Sequence, residues 1–482
     1  MSRLVSTLDM SEGISGKFGC IEQASSNVNK NLLSLFIKLV RGIDCETLSL
    51  SVKKCATGEI DDLVNLMILW WETRSYRLIG KGERSIFYDM IPFLIEVVGI
   101  EAVVATISLI PKFGYYKDFC YILEKNFDER LNERIIDIFT KQLIDDYASF
   151  RENGKISMAA KYAPSEKTHF RKFARIFAER IYIDDKTCYK RYRKMKSELN
   201  AYLNLCDTKI FDESSVYPLP NITLKTCTKP GLEKDWNCLL NYIAGQIEDK
   251  NAFKHALALV DISDSMVGKR KNAGMCLGLI VSELSQTFHN RILTFGSEYN
   301  WINLSSLHSL PEKLDVISKS KNGGCADFCK AIESILSVAE DLKLSASELP
   351  KIIFVFSDMQ AKKQEDVMSN YYEYLQLRFK ETGERICGKA YNLPRIVFWN
   401  LNANIGDFQC ISSDNVQYFS GFDASLLKYV SLTNNASKTL SNILADEKFL
   451  PIRQILSRLK EGIFKSYEYC CEKDGFVIVY DD

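Results

Sequence analysis

From residue 256 onward, short apolar runs and helical stretches take turns, and this alternation narrows the fold more than any other feature of the chain. ALALV (256–260), RILTFG (291–296), IIFVF (352–356) and RIVFWNL (395–401) are brief and almost wholly apolar. Helical patterns through MCLGLIVSELSQTF, ADFCKAIESILSVAEDL (326–342) and YYEYLQLRF lie between them, and VQYFSGFDASLLKYV (416–430) repeats the strand-turn-helix idea. Continuous apolar strands separated by helices predict a parallel sheet covered by helices on both faces. In such sheets ligands bind beyond the carboxyl ends of the strands. Asp261, after ALALV, and Asp358, after IIFVF, fall at that edge.

The first half reads differently. From about 28 to 203, segments such as NLLSLFIKLV, DLVNLMILWWETRSYR, RSIFYDMIPFLIEVV and RIIDIFTKQLIDDY repeat apolar residues at three-and-four spacing. Short breaks at IGKGER (79–84) and IPKFGYYKD (110–118) imply antiparallel neighbours, in a bundle or a HEAT-like solenoid. Residues 204–231 lose the periodicity and carry three prolines, which marks a connector, and WNCLLNYIAGQIEDK (236–250) returns to helix. The expected organisation is an extension over 1–27, a helical domain over 28–203, a connector and lead-in helix over 204–250, and an α/β domain with C-terminal helices over 251–482.

Several function classes are disfavoured by the totals. Lys plus Arg balance Asp plus Glu at 62 each, so any nucleic-acid site must be local. The four histidines have no zinc-ligand spacing, and the fifteen cysteines include no C-x-x-C pair, which suits free thiols in a reducing compartment. The stretch MIPFLIEVVGIEAVVATISLIP (90–111) is apolar enough to raise the question of a membrane span. Glu96 and Glu101 near its middle would each cost about 3 kcal/mol in a bilayer, so two packed helices are expected instead. The N-terminus lacks the apolar core of a secretory signal. A cytoplasmic or nuclear protein with no membrane contact is the expectation.

The run Asp261-Ile-Ser263-Asp-Ser265 places a carboxylate and two hydroxyls within five residues of a strand end. A tight turn there can converge alternate side chains on one point, and Ser357-Asp358 can bring a second carboxylate alongside. Oxygen-only donors favour a hard cation such as Mg²⁺, which leaves a position open for an incoming carboxylate or phosphate. The plainer alternative is a strand end whose Ser and Asp cap the next helix.

DISDSM resembles the metal-ion-dependent adhesion motif of von Willebrand factor A domains. NGGCADF (322–328), FVFSDMQ (354–360), RIVFWNLNA (395–403) and SGFDASLLK (420–428) resemble segments of an uncharacterised family, domain of unknown function 2828, found in plants, fungi, bacteria and large DNA viruses. GKGER (80–84), IPKFGYYKD and AAKYAPSEK (159–167) match that family's stretches in the helical half. The layout, helices followed by a von Willebrand A-like domain, is also similar to that of the Ro ribonucleoprotein autoantigen. The resemblance implies an α plus α/β protein: a helical domain, then a doubly wound parallel sheet. It implies a Mg²⁺ held directly by Ser263 and Ser265 and, directly or through water, by Asp261 and Asp358. The family's second loop normally supplies a threonine, and here Ala326 stands in its place, beside Asp327. A methyl group cannot ligate Mg²⁺, so water fills the place, Asp327 turns in, or the fold is kept without the metal. A source among large DNA viruses would make a virion or viral factory a further location.

A second feature is local charge. Residues 151–200 hold fourteen Lys or Arg against six Asp or Glu, a net of +8 in a neutral chain. Aromatic residues are interleaved, as in segments that neutralise phosphates and stack on single-stranded bases. Phe170, Phe173 and Phe177 fall at helical spacing, which reads more readily as core. CYKRYRKMK (188–196) has five cations in nine residues. The expected RNA-contacting residues are Arg171, Lys172, Lys190, Arg191, Arg193, Lys194 and Lys196.

The leading expectation is a non-catalytic, Ro-like scaffold that holds RNA, protein partners, or both. Its rival is a pure adhesion module in which a partner's Asp or Glu completes the coordination of Mg²⁺. A Mg²⁺-dependent phosphoester hydrolase using Asp261 and Asp358 is the third reading. No general acid or base is evidently placed for it, Ser263 interrupts a D-x-D pattern, and no Walker-type phosphate loop occurs.

Overall fold

The α/β half forms one six-stranded sheet: β1 (Ala256–Asp261), β2 (Arg291–Phe295), β3 (Tyr299–Asn303), β4 (Ile352–Ser357), β5 (Arg395–Asn400) and β6 (Val416–Ser420). The computed structural model describes residues 30–56, 59–75, 80–205, 232–320, 328–359, 367–403 and 415–459. The strand order is β3-β2-β1-β4-β5-β6, and every pairing is parallel except β2–β3. This is a doubly wound, mostly parallel sheet with an antiparallel edge, preceded in the chain by a helical region. β1, β4, β5 and β6 are buried along their whole length, which is why they read as continuous apolar runs.

β3 is the strand that the sequence reading missed. In YNWIN only Ile302 is buried, so the run alternates and lacks the apolar signature of its neighbours. Its pairing follows from the three-residue turn after Phe295, where Gly296 N–H donates to Glu298 O at 2.9 Å.

Helices described here are α1 (Lys30–Lys38), α2 (Cys45–Cys55), α3 (Ile60–Arg74), α4 (Arg84–Val98), α5 (Ile100–Thr106), α6 (Tyr116–Lys125), α7 (Glu129–Arg151), α8 (Arg171–Ile181), α9 (Cys188–Leu205), α10 (Leu232–Gln246), α11 (Lys269–Leu284), α12 (Leu310–Lys319), α13 (Phe328–Leu342), α14 (Val367–Cys387) and α15 (Ala436–Ala445). The chain divides into two units. The first comprises Met1–Ser51, Arg77–Ile86 and Val216–Asp446, and the second Val52–Tyr76, Phe87–Ser215 and Glu447–Asp482.

In the first unit α11 lies on β1 and β4, α13 contacts β2, and α1 and α15 contact β6. The α11–β1 approach is unusually close. A Cβ on Gly278 would stand 2.3 Å from Val260 Cγ2, so only glycine fits there. The GKGER stretch is structural: Lys81, fully buried, donates from Nζ to Phe36 O, to Leu39 O at 3.2 Å and to Ser420 Oγ at 2.5 Å. Its ammonium thereby satisfies carbonyls at the end of α1. Glu83, also buried, accepts from Arg41 Nε at 3.1 Å.

The second unit is built around α7, whose N-cap Asp128 accepts from the N–H groups of Arg130 and Leu131. Leu131, Ile135, Ile136, Phe139, Thr140, Leu143 and Asp146 form its buried stripe, and α5, α6, α8 and α9 contact it. Phe139 meets Tyr116, Phe119 and Phe177 at ring-centroid distances of 5.4, 5.7 and 5.2 Å. IPKFGYYKD also proves structural. Asp118 takes Arg74 Nε at 2.9 Å, a second bond from Arg74 Nη2, Tyr115 N–H at 2.7 Å and Tyr88 OH at 2.5 Å. The 90–111 stretch takes in the C-terminal part of α4 and all of α5, and no helix among the described residues is long and apolar enough to cross a membrane.

Candidate functional site

The strand order reverses between β1 and β4, and doubly wound sheets take ligands at the carboxyl ends of the strands at such a switch. Asp261 ends β1 and is fully buried. Ile262 N–H still donates to Phe295 O at 2.9 Å, and then the chain turns. Asp261 Oδ1 accepts Ser263 N–H at 2.9 Å, Met266 N–H reaches Ser263 O at 3.0 Å, and Gly268 (φ +60°) leads into α11. The turn brings Ser263 Oγ within 3.1 Å of Ser265 Oγ.

β4 supplies the other side. Ser357 Oγ donates to Asp261 Oδ2 and accepts Met359 N–H at 3.0 Å. Asp358, also fully buried, takes Ser265 Oγ on Oδ1 at 3.1 Å and Arg270 Nη1 on Oδ2 at 3.2 Å. Because Ser265 spends its one proton on Asp358, Ser263 is the donor in the Ser263–Ser265 bond. Four of the five residues assigned to the motif thus meet at one place. The fifth, Asp327, lies outside the described residues, as does Ala326.

Three neighbouring strands end in the same way. Asp261, Ser357 and Asn400 each accept, on a side-chain oxygen, the N–H two residues on, at 2.9, 3.0 and 2.9 Å. Ser357 and Asn400 are register partners, so the edge carries a row of Asx- and Ser-type turns. Asn400 Nδ2 is buried with no hydrogen-bond partner. Ser357, Asn400 and Arg270 were not singled out from the sequence. For the first two, a short polar residue closing an apolar run was the available signal. Arg270 had none, since its role depends on a turn that folds α11 back over Asp358.

Charge at the site is unbalanced. Arg270, 29% exposed, pairs with the buried Asp358, while the buried Asp261 has no cation within 4.0 Å among the described residues. Burial pushes the Asp261 carboxyl up to about 6; the charge of Asp358 adds to this, against hydrogen bonds from Ser263 and Ser357. Among the described residues no three His, Cys, Asp or Glu side chains are grouped to hold a metal ion. The donors here are instead two carboxylates and two hydroxyls, with the Ser265 proton turned toward Asp358 and one of its lone pairs left over. That all-oxygen set, with its surplus negative charge, fits a hard cation. Asp261, Ser263, Ser265 and Asp358 would hold it, and it would supply a Lewis-acidic position for an anionic oxygen.

The basic segment is less uniform than its composition. Phe170, Phe173, Phe177 and Tyr192 are buried. Arg191 pairs with Asp185 at 2.8 Å, Arg193 with Glu166 at 3.9 Å and Lys194 with Glu198 at 3.8 Å. Lys196 is half-buried and donates to Ala163 O at 2.5 Å, and burial lowers its pKa. Arg171, Lys172 and Lys190 are exposed and have no carboxylate within 4.0 Å among the described residues.

Residues 255–448 match the family model described as a domain of unknown function (DUF7788), a different number from the one expected from the motifs. The uncharacterized protein L728 of Acanthamoeba polyphaga mimivirus is 25% identical across 73% of this chain and 74% of that protein. The crystal structure of the RO (RSR) protein of Deinococcus radiodurans is similar across 90% of this chain and 97% of that one, at 12% identity and a TM-score of 0.31.

Proposed function

We propose that the protein is a non-catalytic binding scaffold whose sheet domain grips an acidic side chain of a protein partner through a Mg²⁺ ion held by Asp261, Ser263, Ser265 and Asp358. The observation that carries this reading is the convergence of those four residues at the strand-order switch, with Ser265 bonded to Asp358 across 3.1 Å. A hard cation there keeps a position for the partner's carboxylate. The groups donating to the two carboxylates are hydroxyls, a backbone N–H and a guanidinium, all of which keep their protons at neutral pH. The test is retention of the protein on immobilised peptides bearing Asp or Glu. Retention should need Mg²⁺ and be lost in EDTA and in Asp261→Ala. Retention indifferent to both would sink the reading.

A second contact, with RNA, is favoured by Arg171, Lys172 and Lys190, which are among the exposed cations of the basic segment with no carboxylate within 4.0 Å among the described residues. Titration of a single-stranded oligonucleotide should show affinity falling steeply with salt, with the log–log slope reduced by about 1 for each phosphate contact removed by charge reversal at these residues. Unchanged affinity in the triple reversal would remove RNA from the account.

A further inference from the structure

Arg270 is the second residue of α11, a helix that begins Lys269-Arg270-Lys271 with no acid in its first turn. Three cations at a helix N-terminus oppose the macrodipole, so local helix electrostatics do not account for them. Lys271 turns toward Ser318 O at 3.4 Å, whereas Arg270 reaches across to Asp358 Oδ2. It thus occupies one oxygen of the carboxylate that the cation would use, while Ser265 occupies the other.

This is a different kind of ion pair from the one in the helical unit. Arg74 and Asp118 are both 1% exposed, and Arg74 bonds through two nitrogens. Arg270 is 29% exposed and bonds through Nη1 at 3.2 Å. The guanidinium end of this contact is partly solvated and held through one nitrogen, so water can take over the cation, whereas the buried carboxylate of Asp358 needs another positive charge in its place. A divalent ion and a guanidinium on one carboxylate also repel each other, so simultaneous occupancy is unfavourable.

We propose that Arg270 is a resident competitor for the cation: it neutralises Asp358 in the metal-free protein, and a divalent ion binds only as the guanidinium leaves. Arg270 then sets the metal affinity of the site. This inference rests on the metal-dependent reading above.

The experiment is calorimetric titration of Mn²⁺ into the chelator-stripped, full-length protein at fixed ionic strength. Wild type is compared with Arg270→Gln. The variant should bind roughly five- to tenfold more tightly, as expected from removing a partly exposed ion pair. Its metal-free melting temperature should lie below that of wild type and be restored by Mn²⁺, because it leaves a buried carboxylate without its counter-charge. Wild-type binding with equal or weaker binding by Arg270→Gln overturns the competitor while leaving the metal site standing. No binding by either protein overturns the metal reading and this inference together. Should Arg270→Gln not fold, the Arg270 Nε–H resonance of wild type, assigned with Arg270→Lys, serves instead. It should shift as diamagnetic Mg²⁺ saturates the protein, and an unmoved resonance at saturation also overturns the proposal.

Discussion

The hydroxyl of Ser265 donates to Oδ1 of Asp358 across 3.1 Å, joining residues 93 positions apart. The bond ties the turn after β1 to the end of β4 and orients a serine whose remaining lone pair is the proposed cation donor. Ser265→Ala should lower Mg²⁺ affinity by roughly tenfold or more. Because Ser265 is only half-buried, far-UV circular dichroism should stay unchanged. Isothermal calorimetry checks the first expectation, and equal affinity in the two proteins would remove Ser265 from the donor set.

The buried Asp261 carboxyl titrates near 6 instead of its usual 3.8. The folded state therefore binds its proton more tightly than the unfolded chain does. In chelator-treated protein this lowers stability as pH rises from about 4 to about 6, by up to about 3 kcal/mol, with no further change above. Asp261→Asn should lack this component. Urea unfolding of both proteins at half-unit pH steps should show their stability difference growing in favour of the variant across that window. A constant difference would contradict the shift.

The contact between Gly278 and Val260 is tight enough that one methyl group matters. Gly278→Ala must push α11 off β1 or force Val260 from its rotamer, at a cost of about 1–3 kcal/mol despite the better helix propensity of alanine. The lowered melting temperature can be read by calorimetry. A variant as stable as wild type would show that the helix has room to shift.

Thiol reactivity should divide along burial. Cys120 is buried, and burial pushes its thiol up to about 12, so it has almost no thiolate at pH 8. Cys45, Cys238 and Cys387 are exposed free thiols. Iodoacetamide labelling followed by peptide mapping should mark these three in minutes and Cys120 only after unfolding. Prompt native-state labelling of Cys120 would mean that the helical unit opens locally.

The sequence by itself determined the fold class and most of the elements, because burial on both faces leaves an unmistakable record. The middles of β1, β4 and β5 are buried and apolar and only their ends carry polar residues, so ALALV, IIFVF and RIVFWNL are legible one strand at a time. The motif Asp261, Ser263 and Ser265 was legible for the same reason, since all three lie within five residues of one strand end. β3 was not legible, because an edge strand facing water alternates and borrows its stability from β2. The aromatic residues of the basic segment declared their core role only through spacing. Lys194 pairs with Glu198 one turn on in the same helix, a spacing legible in the sequence, whereas Asp185 and Glu166 reach Arg191 and Arg193 from segments before that helix. The pairing of Arg270 with Asp358, 88 residues away, belongs wholly to tertiary structure. A hydrogen bond across that separation is set by where two backbones end, and no local pattern of residues encodes that distance.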